Sequence, residues 1–212
     1  MSQYIYSVRH NIHILDLEHT AKQLESVLGA IRKTVAAGGQ VLFVSIKKQA
    51  TVAVLEAAER TGMPYIVDRW LGGVFTNWGV VSKLIQRLDK LESEQTRGLW
   101  AQYSKKEQLE MQKDMERLML SVGGIRNMTK LPAMVFLVGV REGKNAINEA
   151  NKAKVPVVGI VDTDTNPTKV GFPIPANDDA LKSVQLIVDL VALAVEEGKQ
   201  EALAHAAPVQ AV

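Results

Sequence analysis

Residues 64–78, PYIVDRWLGGVFTNW, mark the point at which the chain changes from one kind of pattern to another. Before them, short apolar runs alternate with helical periodicity, which is typical of a parallel sheet. After them come two long, charged amphipathic segments. The stretch itself combines Arg69, Trp70 and Asn77 with the pair Gly72-Gly73. A guanidinium, a flat indole and a sharply turning backbone suit contact with RNA, although the same residues would also form a buried aromatic corner with a glycine turn.

Three strands are predicted before residue 68, each from a short apolar run. The second run, VLFVS, is continuous enough to be buried on both faces. A helix is predicted after the first run because apolar residues recur there at steps of three and four, up to Gly38-Gly39. A second helix is predicted to stop near Gly62 because Pro64 cannot continue it. The predicted strands are 12–17, 41–45 and 65–67, and the second helix is predicted at 48–61.

The same alternation resumes later in the chain. MVFLVGV at 134–140 and VPVVGIV at 155–161 are predicted strands, with a helix at about 145–154 between them. Residues 177–179, NDD, offer N-capping side chains to a last amphipathic helix. Five buried strands joined by helical crossovers predict an α/β fold of flavodoxin-like type, a doubly wound parallel sheet of about five strands with right-handed connections.

Residues 79–122 interrupt this pattern. Two apolar stripes flank a break at Arg97-Gly98, which predicts an inserted α-helical coiled hairpin on the order of 25 Å long. The hairpin either grips a partner or folds down over the sheet. The predicted domains are a sheet domain of residues 1–78 plus 123–199, the inserted hairpin at 79–122, and a flexible tail at 200–212, where no apolar stripe continues.

Composition excludes several classes of protein. The absence of cysteine excludes disulfides and thiolate sites, and no apolar run is long enough to span a membrane or to act as a secretory signal, so we expect a soluble protein. A net charge of +2 means that RNA contact would depend on local clusters of basic residues. The four histidines and the acidic residues form no convincing catalytic constellation. We therefore expect no enzymatic activity.

Two loops at predicted strand ends carry candidate ligand groups. Lys47-Lys48 lies where a helix begins, and the helix dipole and free N–H groups there favour an anion such as an RNA phosphate; a solvated helix start is the alternative. The loop lacks the glycines of a phosphate-binding turn. Asp162 and Asp164 could hold a structural magnesium ion, but an Asx turn before Pro167 is the simpler interpretation. No cofactor is expected.

Five motifs of the chain occur in the same order in the small-subunit ribosomal protein S-two family, in its bacterial and organellar form. They are HILDLEHT at 13–20, GGQVLFVSIKKQA at 38–50, GMPYIVDRWLGGVFTN at 62–77, LPAMVF at 131–136 and VPVVGIVDTDTNPTKVGFPIPANDDA at 155–180. The chain resembles this family from residue 4 to about residue 198. The combination of RWLGG and TN with the later IVDT and PIPANDDA is specific, because no generic fold shares it.

The resemblance implies a structural constituent of the small ribosomal subunit that supports translation. It implies binding to 16S-type rRNA at the back of the subunit, between head and body, and help in docking ribosomal protein S-one. Other expected partners are neighbouring small-subunit ribosomal proteins, with no membrane and no homo-oligomer, in the cytoplasmic ribosome of a bacterium or in an organellar ribosome. The residues expected to bind rRNA are Arg9, Lys47, Lys48, Arg69, Trp70, Asn77, Lys83 and Arg87.

The chain departs from the family pattern at four places. One is the turn of residues 141–145, REGKN, where the family usually has a basic and histidine sequence. The basic segment that usually precedes Tyr4 is absent, Ser45 stands where a glycine is typical, and Gly139 stands where an Asp is usual. Two other functions stay open from the residues alone. One is a flavodoxin-like nucleotide- or flavin-binding protein that uses the loops after Ser45 and Val161. The other is an interaction module whose hairpin binds only protein.

Overall fold

The computed structural model describes residues 1–206 of the chain. Its strands are β1 (Ile5–Arg9), β2 (Ile12–Leu15), β3 (Val41–Ser45), β4 (Tyr65–Val67), β5 (Met134–Val138), β6 (Val157–Val161) and β7 (Phe172–Pro175). Its α-helices are α1 (Leu17–Ala36), α2 (Lys48–Thr61), α3 (Trp78–Thr96), α4 (Lys105–Val122), α5 (Lys144–Lys152) and α6 (Leu181–Ala206).

Five of the strands form one parallel sheet in the order β4-β3-β5-β6-β7. The chain moves outward from β3 to β4, then crosses back and continues from β5 to β7 in the other direction. This is the strand order of flavodoxin-like proteins. Helices cover both faces, so β3, β5 and β6 are buried along their whole length. The predicted fold class is confirmed.

Successive residues of a strand point to opposite faces, and β3 shows how the two faces differ. Val41 and Phe43 belong to the apolar cluster that includes residues of α1, α2 and α6. Leu42 and Val44 belong to the cluster that includes residues of α3, α4 and α5. On the first face Phe43 meets Phe136 of β5 edge to face, with 5.6 Å between ring centroids. The hairpin helices therefore share a core with one face of the sheet.

The prediction for 12–17 was right about the strand and wrong about its sheet. β2 pairs antiparallel with β1 in a separate two-stranded sheet, and the two residues that join them, His10 and Asn11, both have positive φ (49° and 61°), as a tight hairpin turn requires. The fifth strand of the main sheet is β7, which the sequence analysis missed. Pro173 and Pro175 lie in β7, and they are tolerated because β7 is an edge strand with only one hydrogen-bonded neighbour.

The inserted helical hairpin is formed by α3 and α4. The helices run antiparallel, and Gln95 Nε2 of α3 donates to Gln112 Oε1 of α4 over 3.0 Å. α3 has 19 residues, which corresponds to about 28 Å. Ser104 and Glu107 form a capping box at the start of α4. The buried side chains of the hairpin are Val81, Ile85, Leu88, Leu91, Trp100, Leu118 and Val122.

The last helix is longer than the sequence pattern indicated. α6 continues to Ala206, so residues 200–206, predicted as part of a flexible tail, are helical. The Lys199 ammonium donates to the Thr61 carbonyl oxygen and ties α6 to the end of α2. The rest of the predicted tail, residues 207–212, lies outside the described residues. Among residues 1–206, no helix has both the length and the apolar character needed to cross a membrane.

Candidate nucleic-acid interface

Because the five strands are parallel, the loops that follow them meet at one edge of the sheet, which we call the carboxyl edge. β3 and β4 are neighbours, so the loop with Lys47 and Lys48 lies beside the loop with Arg69. The structure thus brings together two of the regions that the sequence analysis singled out. Their side chains nevertheless have very different environments.

Residues 68–77, which we call the corner, turn the chain from β4 into α3. Asp68 has a positive φ of 68°, and the Arg69 N–H donates to the Val67 carbonyl over 2.9 Å to close a tight turn. Positive φ is costly for a residue other than glycine, so the corner needs contacts that hold it. Gly73 has a φ of 96°, where a side chain would be strained.

The contacts that hold the corner come from Glu149, on α5. One carboxylate oxygen accepts from Trp70 Nε1 over 3.0 Å and from the Gly73 N–H over 2.9 Å. The other accepts from the Phe75 N–H over 3.2 Å and from the Thr76 hydroxyl over 3.4 Å. A single half-buried carboxylate therefore fixes both halves of the corner, and it satisfies two backbone donors that would otherwise lack a partner.

The ionised form of Glu149 is the form that these donors stabilise. Partial burial alone would raise the pKa of the carboxyl, but the hydrogen bonds from Gly73, Trp70 and Phe75 outweigh burial and lower the pKa below its usual value. At neutral pH the group is a carboxylate that accepts from Trp70, Gly73, Phe75 and Thr76. Its negative charge lies next to two backbone N–H groups and an indole N–H.

The corner presents its residues in opposite directions. Trp70 is 8% exposed and packs against Phe75, with ring centroids 5.5 Å apart. Arg69 and Asn77 are exposed, and the Asn77 side chain makes no capping hydrogen bond to α3. The stacking face predicted for Trp70 is thus turned into the core, whereas the guanidinium of Arg69 and the amide of Asn77 face outward.

Lys47 is held inside the molecule. Its ammonium lies 2.6 Å from Asp178 Oδ1 and 2.7 Å from Asp179 Oδ1, and only 12% of its side chain is exposed. Burial alone would lower the pKa of Lys47, but the hydrogen bonds to the two carboxylates raise it above its usual value. Its neighbour Lys48 is exposed.

Gly139, where an Asp was expected from the family pattern, leaves room for the stem of Lys47. The Cγ atom of Lys47 lies 2.9 Å from the position that a Cβ on residue 139 would occupy.

Three carboxylates converge near Lys47. Oxygen atoms of Asp162, Asp178 and Asp179 all lie within 4.8 Å of one another. Asp162 also accepts from the Thr163 N–H over 2.5 Å and from the Asp178 N–H over 3.3 Å, which joins the loops after β6 and β7. Burial raises the pKa of Asp178. The Lys47 ammonium contacts two of these carboxylates, those of Asp178 and Asp179. A magnesium ion at Asp162 stays the less favoured alternative to an Asx turn.

Doubly wound sheets bind nucleotides where the strand order reverses, which here is the crevice between the loops after β3 and β5. The Lys47 stem crosses Gly139 at this point. The loop of residues 46–49 contains no glycine that could wrap a phosphate. Neither observation supports the alternative of a nucleotide- or flavin-binding protein.

The other predicted RNA-binding residues lie away from the sheet. Lys83 is exposed on α3, six residues after Asn77, or about 9 Å along the helix axis. Arg87, one turn further, forms an ion pair with Asp114 of α4 over 2.5 Å. Arg9 is exposed at the end of β1, on the separate two-stranded sheet. The RNA-binding roles of all eight predicted residues stay predictions.

Sequence reasoning missed the groups that organise this edge. Glu149 lies 79 residues from Trp70 in the chain, and nothing in its local pattern separates it from any polar residue of an amphipathic helix. Residues 177–179 were all expected to offer capping side chains to the last helix. Asn177 Oδ1 accepts from the Asp179 and Ala180 N–H groups over 2.8 and 2.9 Å, whereas the two aspartates bind Lys47.

These features define a flavodoxin-like α/β protein with an inserted helical hairpin and a polar, partly basic carboxyl edge. Within that class the chain belongs to the family described as Ribosomal protein S2, which matches residues 1–198. It is similar to the small ribosomal subunit protein uS2 of Acidothermus cellulolyticus, with 46% identity over 93% of this chain and 72% of the relative. It is also similar to the small ribosomal subunit protein uS2 of a Ruegeria species, with 45% identity over 97% of this chain and 80% of the relative.

Proposed function

We propose that the chain is a structural constituent of the small ribosomal subunit that binds rRNA and has no catalytic role. The family match over residues 1–198 carries this proposal, since the relatives are named as small-subunit ribosomal proteins. The proposed place is the back of the subunit between head and body, with neighbouring ribosomal proteins as further partners and a role in docking ribosomal protein S-one. The host is a bacterial cytoplasmic ribosome or an organellar one.

The proposed RNA-binding surface consists of the members of the predicted set that are exposed and form no ion pair within the described residues. Arg69 and Lys48 would neutralise phosphates at the carboxyl edge, and a guanidinium is suited to bidentate contact with one phosphate. Asn77 offers a free amide beside them, and Lys83 continues the surface along α3. Arg9 would add a contact from the β1–β2 hairpin.

The other three members of the set support this surface through contacts within the chain. Trp70 anchors the corner that presents Arg69, through its bond to Glu149. Lys47 fixes the loop that presents Lys48, through Asp178 and Asp179. Arg87 links α3 to α4 through an ion pair with Asp114. Their replacement should reduce binding by disturbing the fold rather than by removing a phosphate contact.

Sedimentation tests the proposal. A tagged chain should cofractionate with small subunits in a sucrose gradient, and the double variant Arg69→Ala/Asn77→Ala should do so less than the wild type. Lys33→Ala is the control, because Lys33 is exposed on α1 before β3, at the opposite edge of the sheet. A wild-type chain that never migrates with small subunits, while other subunit proteins do, would refute the proposal. Equal incorporation of the double variant and the control would refute the assignment of the surface.

A further inference from the structure

A cleft that the predicted site does not include opens at the carboxyl edge, between the start of α5 and the loop after β6. Its volume is about 520 Å³. Three basic residues line it, together with asparagine and threonine side chains and one acid. The polar lining residues are Arg141, Lys144, Asn148, Asp164, Thr165, Asn166 and Lys169. We call it the basic cleft.

The positive charge of the basic cleft is largely uncompensated. Arg141 forms an ion pair with Asp164, with 2.6 Å between Nη1 and Oδ2. Lys144 and Lys169 are exposed, and neither takes part in an ion pair among residues 1–206. The lining residues thus carry an excess of two positive charges, which favours an anionic ligand.

Neutral donors and a helix terminus add to this preference. α5 begins at Lys144, and its N-cap residue Gly143 supplies no side-chain acceptor, so the first N–H groups of the helix lack an intrahelical partner. Asn166 Oδ1 accepts from the Thr168 N–H and hydroxyl over 3.0 and 2.8 Å, which leaves its amide nitrogen as a donor. Cations, amide donors and helix N–H groups together are typical of phosphate recognition.

α5 connects the basic cleft to the corner. Lys144 and Asn148, one turn apart, line the cleft, whereas Glu149 on the same helix holds the corner. A polymer with regularly spaced phosphates could therefore contact Arg69 on one side of α5 and Lys144 on the other. A single small anion would use the cleft alone.

From these observations we infer that the basic cleft binds backbone phosphates of RNA, through Lys144 and Lys169, as a second contact site beside the corner. The inference rests on the proposed function. A free nucleotide carries the same phosphate chemistry, but the lysines are exposed, and the turn from Gly139 to Gly143 beside the cleft is one residue shorter than the G-x-x-x-x-G-K phosphate loop. Asn145 also stands where that loop has Ser or Thr. Exposed, unpaired lysines fit counterion-releasing contact with a polyanion.

The salt dependence of rebinding to small subunits that lack the protein tests the inference. For Lys144→Glu/Lys169→Glu we expect weaker binding, and the slope of log affinity against log salt should fall by about 2, one for each lost phosphate contact. The variant would then lose about tenfold less affinity than the wild type between roughly 50 and 200 mM salt. Lys33→Glu/Lys130→Glu makes the same charge change with exposed lysines at the opposite edge and should keep the wild-type slope.

Directed cleavage identifies what lies in the cleft. The chain has no cysteine, so Asn148→Cys can carry a single tethered iron chelate that generates hydroxyl radicals in assembled subunits. We expect strand breaks at a few discrete rRNA positions, and none of the same breaks from Lys33→Cys. Titration of the free chain with AMP and with inorganic phosphate forms the other arm, in which we expect no saturable binding.

Each outcome decides between the hypotheses. Wild-type affinity and slope for Lys144→Glu/Lys169→Glu would overturn the inference and leave the proposed function intact, as would the absence of cleavage from Asn148→Cys. A small-molecule site would be shown instead if the wild type bound AMP or phosphate saturably, if Lys144→Glu/Lys169→Glu lost this binding, and if the salt slope of that double variant were unchanged. A wild-type chain that does not rebind would overturn both. Lys144→Arg/Lys169→Arg should keep the wild-type slope, and thermal melting should show every variant folded.

Discussion

Two junctions between a strand and a helix at the carboxyl edge carry basic residues, and they use them in opposite ways. At the junction of β3 and α2, the Lys47 ammonium is enclosed by two carboxylates at 2.6 and 2.7 Å. At the junction of β5 and α5, Lys144 is exposed beside an open cleft. Both lysines begin or precede a helix, so a local view of the sequence makes them equivalent sites for an anion.

The difference lies in partners that are remote in the chain. Asp178 is 131 residues from Lys47, and only the folding of the β7 loop back over the edge brings them together. A buried carboxylate such as Asp178 requires a cation, and Lys47 provides it. Lys144 forms no ion pair among the described residues, so its charge is available to a binding partner. Residues held by internal partners should therefore control stability, and residues without them should control binding.

The largest effect should come from the group that holds the corner. Glu149→Ala leaves Trp70 Nε1 and the Gly73 and Phe75 N–H groups without their acceptor, and we expect a loss of about 3 to 4 kcal/mol in the free energy of unfolding. Urea denaturation measures it. Glu110→Ala, an exposed glutamate on α4, should change it by less than about 0.5 kcal/mol. A loss equal to that control would mean that the corner does not depend on Glu149.

A smaller effect on stability should distinguish Lys47 at the first junction from Lys144 at the second. Lys47→Met keeps the apolar stem but leaves Asp178, which is 2% exposed, without its cation, and we expect a loss of about 2 to 3 kcal/mol. Lys144→Met should cost less than about 0.5 kcal/mol, since Lys144 forms no internal ion pair among the described residues. Thermal or urea unfolding compares them. If both variants were equally stable, the contrast between the junctions would be wrong.

The pH dependence of stability tests the charge on Glu149. Its pKa is lowered in the folded state, so its contribution is fully present above the pKa of an unfolded glutamate, about 4.3, and is lost as the pH falls through the lower folded pKa. We expect the stability difference between the wild type and Glu149→Gln to be constant above about pH 5 and to shrink below about pH 4. Urea denaturation at a series of pH values measures it. A difference that grew with acidity would contradict the lowered pKa.

Local signals explain what the sequence predicted well. β3, β4 and α2 were predicted with the bounds that the structure has, because glycine or proline lies within two residues of one end of each. The fold class followed, since alternating strands and helices admit few arrangements. β7 was missed because two of its four residues are proline. β2 was assigned to the wrong sheet because periodicity identifies a strand but not its neighbour.

The site was less predictable, for the same physical reason. Arg69 and Trp70 are adjacent in sequence, yet Arg69 is exposed and Trp70 is buried, with 8% of its surface exposed. Which of the two points inward depends on the turn at Asp68 and on the carboxylate of Glu149, and neither is evident from the RWLGG motif. The basic cleft was missed because Lys144 and Lys169 come together only through the packing of α5 beside the loop after β6.

The smallest expected effects are those of substitutions at Trp70 and Arg69 in the corner. We expect Trp70 to affect stability and Arg69 to affect binding. Trp70→Phe removes one of the donors to Glu149 while keeping a buried ring, and it should cost about 1 kcal/mol in unfolding free energy. Arg69→Ala removes an exposed side chain and should change stability by less than about 0.5 kcal/mol, yet it should lower incorporation into small subunits more than Trp70→Phe does, because it removes a proposed phosphate contact. Urea denaturation and gradient fractionation of the same two proteins give both quantities. If Arg69→Ala were the less stable variant, or if Trp70→Phe incorporated less well at equal folded fraction, the inward and outward roles of these neighbours would have to be exchanged.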